Sequence, residues 1–168
     1  MKRTLMTVFV ILLNVAILSL AACAHVEKPA TQAQDLLIKS EVETAVSMLQ
    51  AIYTKHQEGR MDLKQAKKIG ADLLRGLKYG KDGYFWADTT KGVNVVLYGN
   101  KDVEGKNRLE AKDKNGVFYV KDFMAKGKRG GYVDYCFPKK GQTATQNKRS
   151  YVLLFKPFGW VVGSGYYR

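Results

Sequence analysis

Side chains that commonly carry out catalysis or bind metal ions are few in this sequence. It contains two cysteines, Cys23 and Cys136, and two histidines, His25 and His56. Neither histidine has a cysteine or a carboxylate at the spacing of a metal site. The G-x-S-x-G and H-E-x-x-H motifs and a phosphate-binding glycine loop are also absent from the sequence. We therefore expect no enzyme activity, no metal and no cofactor.

Aromatic side chains are the other group that could recognise a ligand. Tyr84 and Trp86 are two residues apart in the segment YFWAD, so they share one face of a β-strand. Tyrosine and tryptophan combine an apolar ring with a hydrogen-bond donor, which suits the wall of a pocket and the core equally well. The sequence leaves both possibilities open for this pair. Cys136 alternates with aromatic residues in its own strand, which favours a buried, unreactive thiol.

Cys23 ends the segment LAAC, which resembles the lipobox of bacterial lipoproteins, in which a leader is cleaved before a cysteine that carries lipid. Two basic residues and an apolar run at 5–20 precede it, which is the layout of an export signal. We expect residues 1–22 to be a lipoprotein signal peptide and Cys23 to be lipidated. The alternative is an uncut membrane anchor, because residues 4–24 could cross a bilayer. The small residues directly before the cysteine favour the lipobox.

The charge of the chain is strongly basic. Its formal net charge is +13, from 28 lysines and arginines against 15 acidic residues. Such an excess is typical of proteins that bind nucleic acid, anionic lipid or small anions. Export from the cytoplasm argues against nucleic acid as the binding partner. The lysines are scattered along the sequence, which is typical of a solvated surface. We expect a periplasmic, lipid-anchored protein, and Ala24 directly after the cysteine resembles lipoproteins of the outer membrane.

Helical patterns begin the domain that follows. Residues 23–32 contain a proline and no periodicity, and we interpret them as a tether. Apolar residues then recur at three- and four-residue spacing through a long helix that ends near Gly59. A second helix follows, with Asp62 as its N-cap and an apolar stripe from Leu63 to Leu77.

The remainder of the chain is predicted to be mainly β-structure. Short aromatic-rich runs separated by glycine predict strands at 84–88, 93–98, 132–137, 150–155 and 160–167, with a short helix near 118–125. Consecutive strands with short links favour an antiparallel sheet. The fold class is therefore α+β, with the helices gathered on one side of the sheet and a single domain at 33–168.

Several segments, in this order, resemble single Cache domains, the extracellular ligand sensors of bacterial chemoreceptors and histidine kinases: YGKDGYFWADT, EGKN, GGYVDYCFPK and KRSYVLLFKPFGWVVGSGYY. The resemblance implies a PAS-like antiparallel sheet of five to six strands with a long N-terminal helix packed on it. It also implies a pocket for a small metabolite, often a carboxylate such as acetate, lactate or pyruvate. Receptors of this family usually continue into a second transmembrane helix and a cytoplasmic signalling region. Because this sequence ends at Arg168, we expect a stand-alone sensor that signals through a histidine kinase or chemoreceptor partner.

The resemblance further implies which residues line the pocket. A small carboxylate needs a cation or several donors, together with apolar walls that exclude water. Lys148 matches the family position from which a lysine meets the carboxylate, and Tyr135 matches a tyrosine that lines the cavity. Tyr84 and Trp86 are the candidates for the walls. Without the resemblance, Lys148 would be interpreted as one more surface lysine.

Two further tyrosines are candidates for the ligand site. Tyr151 lies in the strand that follows Lys148, although its neighbours Leu153 and Phe155 suggest a face of the core. Tyr98 stands where relatives often carry the histidine of a His-Pro pair, and a phenol stays neutral to about pH 10. This exchange leaves open a different acid, an uncharged ligand, or no ligand. In the last case the domain would be an interaction protein that docks on a receptor or on the anionic envelope surface.

Overall fold

The structure is a computed structural model that describes residues 29–168. The expected signal peptide at 1–22 and the lipidation site at Cys23 lie outside the described residues. Residues Ala33–Arg168 form one compact unit.

Two consecutive helices, α1 (Pro29–Gln57) and α2 (Leu63–Gly76), open the domain. Asp62 caps α2 as predicted, because its Oδ1 accepts a hydrogen bond from the backbone N–H of Gln65 at 2.6 Å. Helix α1 begins earlier than expected, so residues 29–32, which we assigned to the tether, are helical. Proline is well suited to this first helical position, since its missing N–H would have no partner within the helix.

A five-stranded antiparallel sheet forms the centre of the domain, in the spatial order β4-β3-β7-β6-β5. Its strands are β3 (Trp86–Thr89), β4 (Asn94–Leu97), β5 (Gly131–Pro138), β6 (Thr145–Phe155) and β7 (Trp160–Tyr167). Two short strands, β1 (Lys78–Tyr79) and β2 (Gly83–Tyr84), pair with each other in a separate ribbon. The predicted α+β class and antiparallel sheet are therefore confirmed.

Helices cover both faces of the sheet, which corrects the expectation that they gather on one side. Helices α1 and α2 pack on the face that carries Phe155, Trp160 and Val162. The third helix, α3 (Tyr119–Gly127), packs on the other face against residues that include Trp86 and Val161. The reason is that β7 is apolar at successive positions, so both of its faces need cover. The face under α3 contains the candidate site.

Candidate ligand-binding site

A small buried cavity lies between the sheet and α3. Its residual volume is about 10 Å³, which is room for roughly one water molecule. The cavity is lined by Tyr84, Trp86, Leu97, Arg108, Tyr119, Phe123, Tyr135, Phe137 and Lys148. Four of the six ligand-binding residues predicted from the sequence are therefore brought together here.

Strand register explains why these side chains meet. Lys148 lies directly opposite Tyr135 on one neighbouring strand and opposite Tyr167 on the other. Trp86 lies opposite Gly163 of β7, and a methyl group at Gly163 would overlap the indole ring. The absence of a side chain at Gly163 thus leaves the space that the indole ring of Trp86 occupies.

Lys148 is the principal charged group of the cavity. Its side chain is only 2% exposed, and its Nζ donates a hydrogen bond to the hydroxyl of Tyr84 at 2.6 Å. The ammonium also lies 4.3 Å from the ring centre of Tyr84 and 5.0 Å from that of Tyr167. Among residues 29–168, no carboxylate lies within 4.0 Å of this ammonium. Lys148 is therefore a buried cation held by phenols, without an acidic partner in the described part of the chain.

This environment changes the acid–base behaviour of Lys148. Burial lowers the pKa of its ammonium to about 7, and the positive charge of Arg108 acts in the same direction. An anion beside Nζ would favour the charged form and raise the pKa again. A negatively charged acceptor in the cavity would therefore stabilise the charged form of Lys148.

Arg108 is the second cation at the cavity, but its charge is already compensated. Its Nη2 contacts both carboxylate oxygens of Asp88, at 2.7 and 2.8 Å, and Asp88 is fully buried. The amide of Asn94 donates a further hydrogen bond to Asp88 at 2.9 Å. No motif or spacing in the sequence marks Arg108 as a site residue; the nearest signal is the segment EGKN, which directly precedes it. With Arg108 paired, Lys148 is the cation that can bind a ligand.

Among the other described residues that line the cavity, Trp86 contributes a donor without a partner. The buried Nε1 of Trp86 has no hydrogen-bond acceptor among the described residues. A buried donor of this kind is uncommon in proteins, because desolvation without a partner is costly. The hydroxyl of Tyr135 instead pairs with that of Ser150 at 3.1 Å, and its ring stacks on Tyr119. A cation and an unsatisfied N–H together suit an oxygen acceptor.

The two remaining candidates lie elsewhere. Tyr151 occupies the opposite face of β6, where it packs with Ile38 and Val42 of α1, because side chains alternate along a strand. It does not line the cavity. Tyr98 follows β4 with φ of 42° and is the single non-glycine residue with positive φ between residues 29 and 168. Its ring packs edge-on against Tyr84, with 5.0 Å between ring centres, on the outer side of the cavity.

Cys136 is buried, as predicted. Its Sγ lies 3.3 Å from the side-chain amides of both Asn115 and Asn147. Within residues 29–168, no three His, Cys, Asp or Glu side chains are placed to hold a metal ion.

Comparison with known proteins identifies the family of this domain. Residues 30–168 match the family model described as single Cache domain 2. The chain belongs to the single Cache domain family. The match includes the strands that carry Lys148, Tyr135 and Trp86.

The curated relatives are bacterial sensors. The methyl-accepting chemotaxis protein McpP of Pseudomonas putida is 26% identical over 168 residues, which is 99% of this chain and 31% of McpP. The sensor histidine kinase MctS of Rhizobium johnstonii is 34% identical over 124 residues, 73% of this chain and 26% of MctS. The chain therefore spans only about a third or a quarter of these relatives, and it contains a Cache sensor domain of the kind found in chemoreceptors and sensor kinases.

Two solved structures resemble the whole domain. A periplasmic sensor domain of a chemotaxis protein has a TM-score of 0.78 and 28% identity, over 84% of this chain and 99% of that domain. A Cache chemosensory domain, described as the structural basis for carboxylic acid recognition, has a TM-score of 0.78 and 31% identity, over 82% of this chain and 95% of that one. Between residues 29 and 168 the chain has no helix with the length and apolarity needed to span a bilayer.

Proposed function

We propose that this domain is a periplasmic sensor that binds a small organic acid, such as acetate, lactate or pyruvate, beside Lys148. The observation that carries the proposal is the buried Lys148 ammonium, which has no acidic partner among the described residues. A charge in such surroundings is costly, and a carboxylate with direct hydrogen bonds offsets that cost. The neighbouring structure that recognises carboxylic acids supports this assignment.

Binding requires a change in the cavity, because its volume of about 10 Å³ has room for roughly one water molecule. Tyr84 is the side chain that could move. It separates the cavity from a second space of about 730 Å³, which we call the outer groove; its walls include Leu37, the ribbon 78–84, and Lys139 and Lys140. If Tyr84 rotated outward, a carboxylate oxygen could replace its hydroxyl as the acceptor for Lys148.

Strand β6 offers a connection from the cavity to α1. Arg149 follows Lys148 and therefore points to the other face of the sheet. There its Nε donates to the carboxylate of Asp35 in α1, at 2.9 and 3.1 Å, and the hydroxyl of Tyr166 donates to the same group. We propose that a shift of β6 on ligand binding moves α1 through this contact. A histidine kinase or chemoreceptor at the membrane would receive the change.

A screen of small acids tests the proposal. A ligand of about six heavy atoms gains at most ~9 kcal/mol, so dissociation constants in the micromolar to millimolar range are expected. We expect one of the acids to raise the melting temperature, and its uncharged amide, such as acetamide for acetate, to have no effect. The Lys148→Met variant should lose the response, since the methionine side chain carries no charge.

A second candidate function is supported by the small size of the cavity. If the aromatic rings remain in place, the domain acts as an interaction protein that docks on a receptor or on the anionic envelope surface. Absence of any melting-temperature response at tens of millimolar acid would contradict acid binding and leave this second function.

We also propose that Cys23 carries the lipid that holds the domain at the membrane, with the outer membrane favoured. The support is the segment LAAC, together with the export-signal layout before it. Mass spectrometry of the membrane fraction should find a lipid-modified Cys23 as the first residue. An unmodified residue 23 behind an intact leader would show the uncut anchor instead.

A further inference from the structure

The outer groove carries four lysines that the acid-binding site does not use. Lys78 and Lys81 belong to the β1–β2 ribbon, and Lys139 and Lys140 belong to the loop after β5. All four are exposed, and none forms a salt bridge within the described residues. Asp82 is the one acidic residue that lines the groove in the described part of the chain. The groove is therefore a concave surface with an excess of positive charge on two of its walls.

The arginine of the groove differs from these lysines. The guanidinium of Arg75 contacts Asp72 at 2.7 Å and Glu104 at 3.0 Å. Its charge is thus compensated within the domain. The four lysines have no such compensation in the described residues and are available to a partner with negative charges.

Amphipathic and apolar side chains accompany the lysines. The Nζ atoms of Lys139 and Lys140 lie 5.4 Å from the ring centres of Tyr167 and Tyr98, respectively. Leu37 of α1 lines the same groove and is 50% exposed. Tyrosine rings with basic neighbours and an exposed leucine are the combination that binds at the surface of a membrane, where rings and apolar groups enter the headgroup layer.

Part of the groove is formed by residues that lie close in sequence to the predicted membrane anchor, which favours a membrane over a soluble partner. Gln34 and Leu37, in the early part of α1, form part of its wall. The predicted lipidation site at Cys23 is 11 residues before Gln34. Because α1 begins at Pro29, only six residues after Cys23, the chain that joins them spans at most ~22 Å when fully extended, so the lipid would hold the start of α1 close to the membrane. An uncut membrane anchor at residues 4–24 would hold α1 close to the membrane in the same way.

We propose that the outer groove is a docking surface for anionic phospholipid headgroups, with Lys139 and Lys140 binding the phosphates and Leu37 entering the headgroup layer. This inference rests on the proposed anchoring at the membrane but not on acid binding beside Lys148. Contact with the membrane would place Tyr84, the boundary of the ligand cavity, close to the lipid surface.

The test uses residues 30–168 without the leader. All buried residues of the three hydrophobic clusters lie within 38–162, and a related sensor domain of almost the same extent was solved by itself. The domain is mixed with vesicles of phosphatidylglycerol and phosphatidylcholine, and with vesicles of phosphatidylcholine alone. We expect sedimentation with the anionic vesicles only, and weaker binding as salt is raised.

Matched variants distinguish the groove from the general positive charge of the domain. Lys139→Glu with Lys140→Glu should weaken vesicle binding about tenfold or more. Lys126→Glu with Lys128→Glu changes the net charge equally on exposed residues outside the groove and should weaken binding much less. Equal losses in the two double variants, or no binding of the wild-type domain to anionic vesicles, would overturn the proposal.

Two further measurements distinguish lipid binding from binding to an acidic protein. Leu37→Ser should weaken vesicle binding, whereas Leu73→Ser, at an exposed leucine outside the groove, should not. If soluble polyglutamate binds the domain as tightly as the vesicles do, and Leu37→Ser has no effect, the partner is an acidic protein and the lipid proposal fails. Lys148→Met should leave vesicle binding unchanged, so loss of acid binding and loss of lipid binding remain distinguishable.

Discussion

Replacement of Lys148 by methionine tests the central feature of the cavity, a buried ammonium without an acidic partner in the described residues. Methionine has a similar length and no charge, so the variant removes the cost of burying the ammonium. We expect Lys148→Met to be more stable relative to the wild type at low pH than at high pH. The reason is that the wild-type lysine is charged in the folded protein only at low pH.

The magnitude follows from the difference in pKa between the two states. The pKa of Lys148 is about 7 in the folded protein, against an ordinary value of 10.5. Between these values the unfolded chain binds the proton and the folded protein does not, so the wild type gains stability as pH rises. Over the whole interval the gain is at most ~5 kcal/mol, at ~1.4 kcal/mol per pH unit. Between about pH 6 and about pH 10 it amounts to roughly 4 kcal/mol.

The assay is chemical denaturation of both proteins at several pH values in this range. The free energy of unfolding of the wild type is subtracted from that of Lys148→Met at each pH, which cancels the titration of the other groups. Lys126→Met, at an exposed lysine, is the control and should show a difference that changes little with pH. If the difference for Lys148→Met stays constant within about 1 kcal/mol, the ammonium is solvated or paired, and the reasoning about the cavity is wrong.

Three further predictions concern the same face of the sheet. Gly163→Ala should destabilise the domain by about 1–3 kcal/mol and change the fluorescence of Trp86, because the new methyl group overlaps the indole; an unchanged spectrum would contradict this packing. Asp88→Asn should lower the free energy of unfolding, measured by chemical denaturation, by about 3–5 kcal/mol, because Arg108 stays buried without its partner. A decrease below about 1 kcal/mol would show that Arg108 reaches water. The affinity for a confirmed acid, measured by calorimetry, should become constant below about pH 6 and fall up to about tenfold per pH unit above pH 7, as Lys148 loses its proton. An affinity independent of pH would exclude Lys148 as the binding cation.

Much of the fold could be predicted from local patterns. The apolar spacing of α1 and the capping residue Asp62 act within one or two turns of helix, so they could be recognised without the rest of the structure. The alternation of side chains along a strand placed Tyr84 and Trp86 on one face, and both line the cavity. Alternation also separates Tyr151 from Lys148, since residues an odd number of positions apart in β6 lie on opposite faces.

The site was predicted only in part because its other members come from distant segments. Arg108 reaches Asp88 across 20 residues of sequence, and its loop has no periodicity that would place it there. Tyr119 and Phe123 belong to α3, which packs on the face of the sheet where no helix was expected. The close approach between Gly163 and Trp86 depends on which strand lies beside β7, and no local pattern specifies that neighbour.

The fold class and the order of the elements could be predicted from the sequence, because they follow from patterns within a few residues. The family could be recognised because several short segments occur in the expected order along the chain. Three properties of the site became visible only in three dimensions: Lys148 is buried among phenols, Asp88 compensates Arg108, and Tyr84 separates a nearly filled cavity from the outer groove. Those properties depend on strand register and on side-chain packing between segments far apart in the chain. Such contacts are absent from any local pattern, since they form only when the sheet and α3 come together.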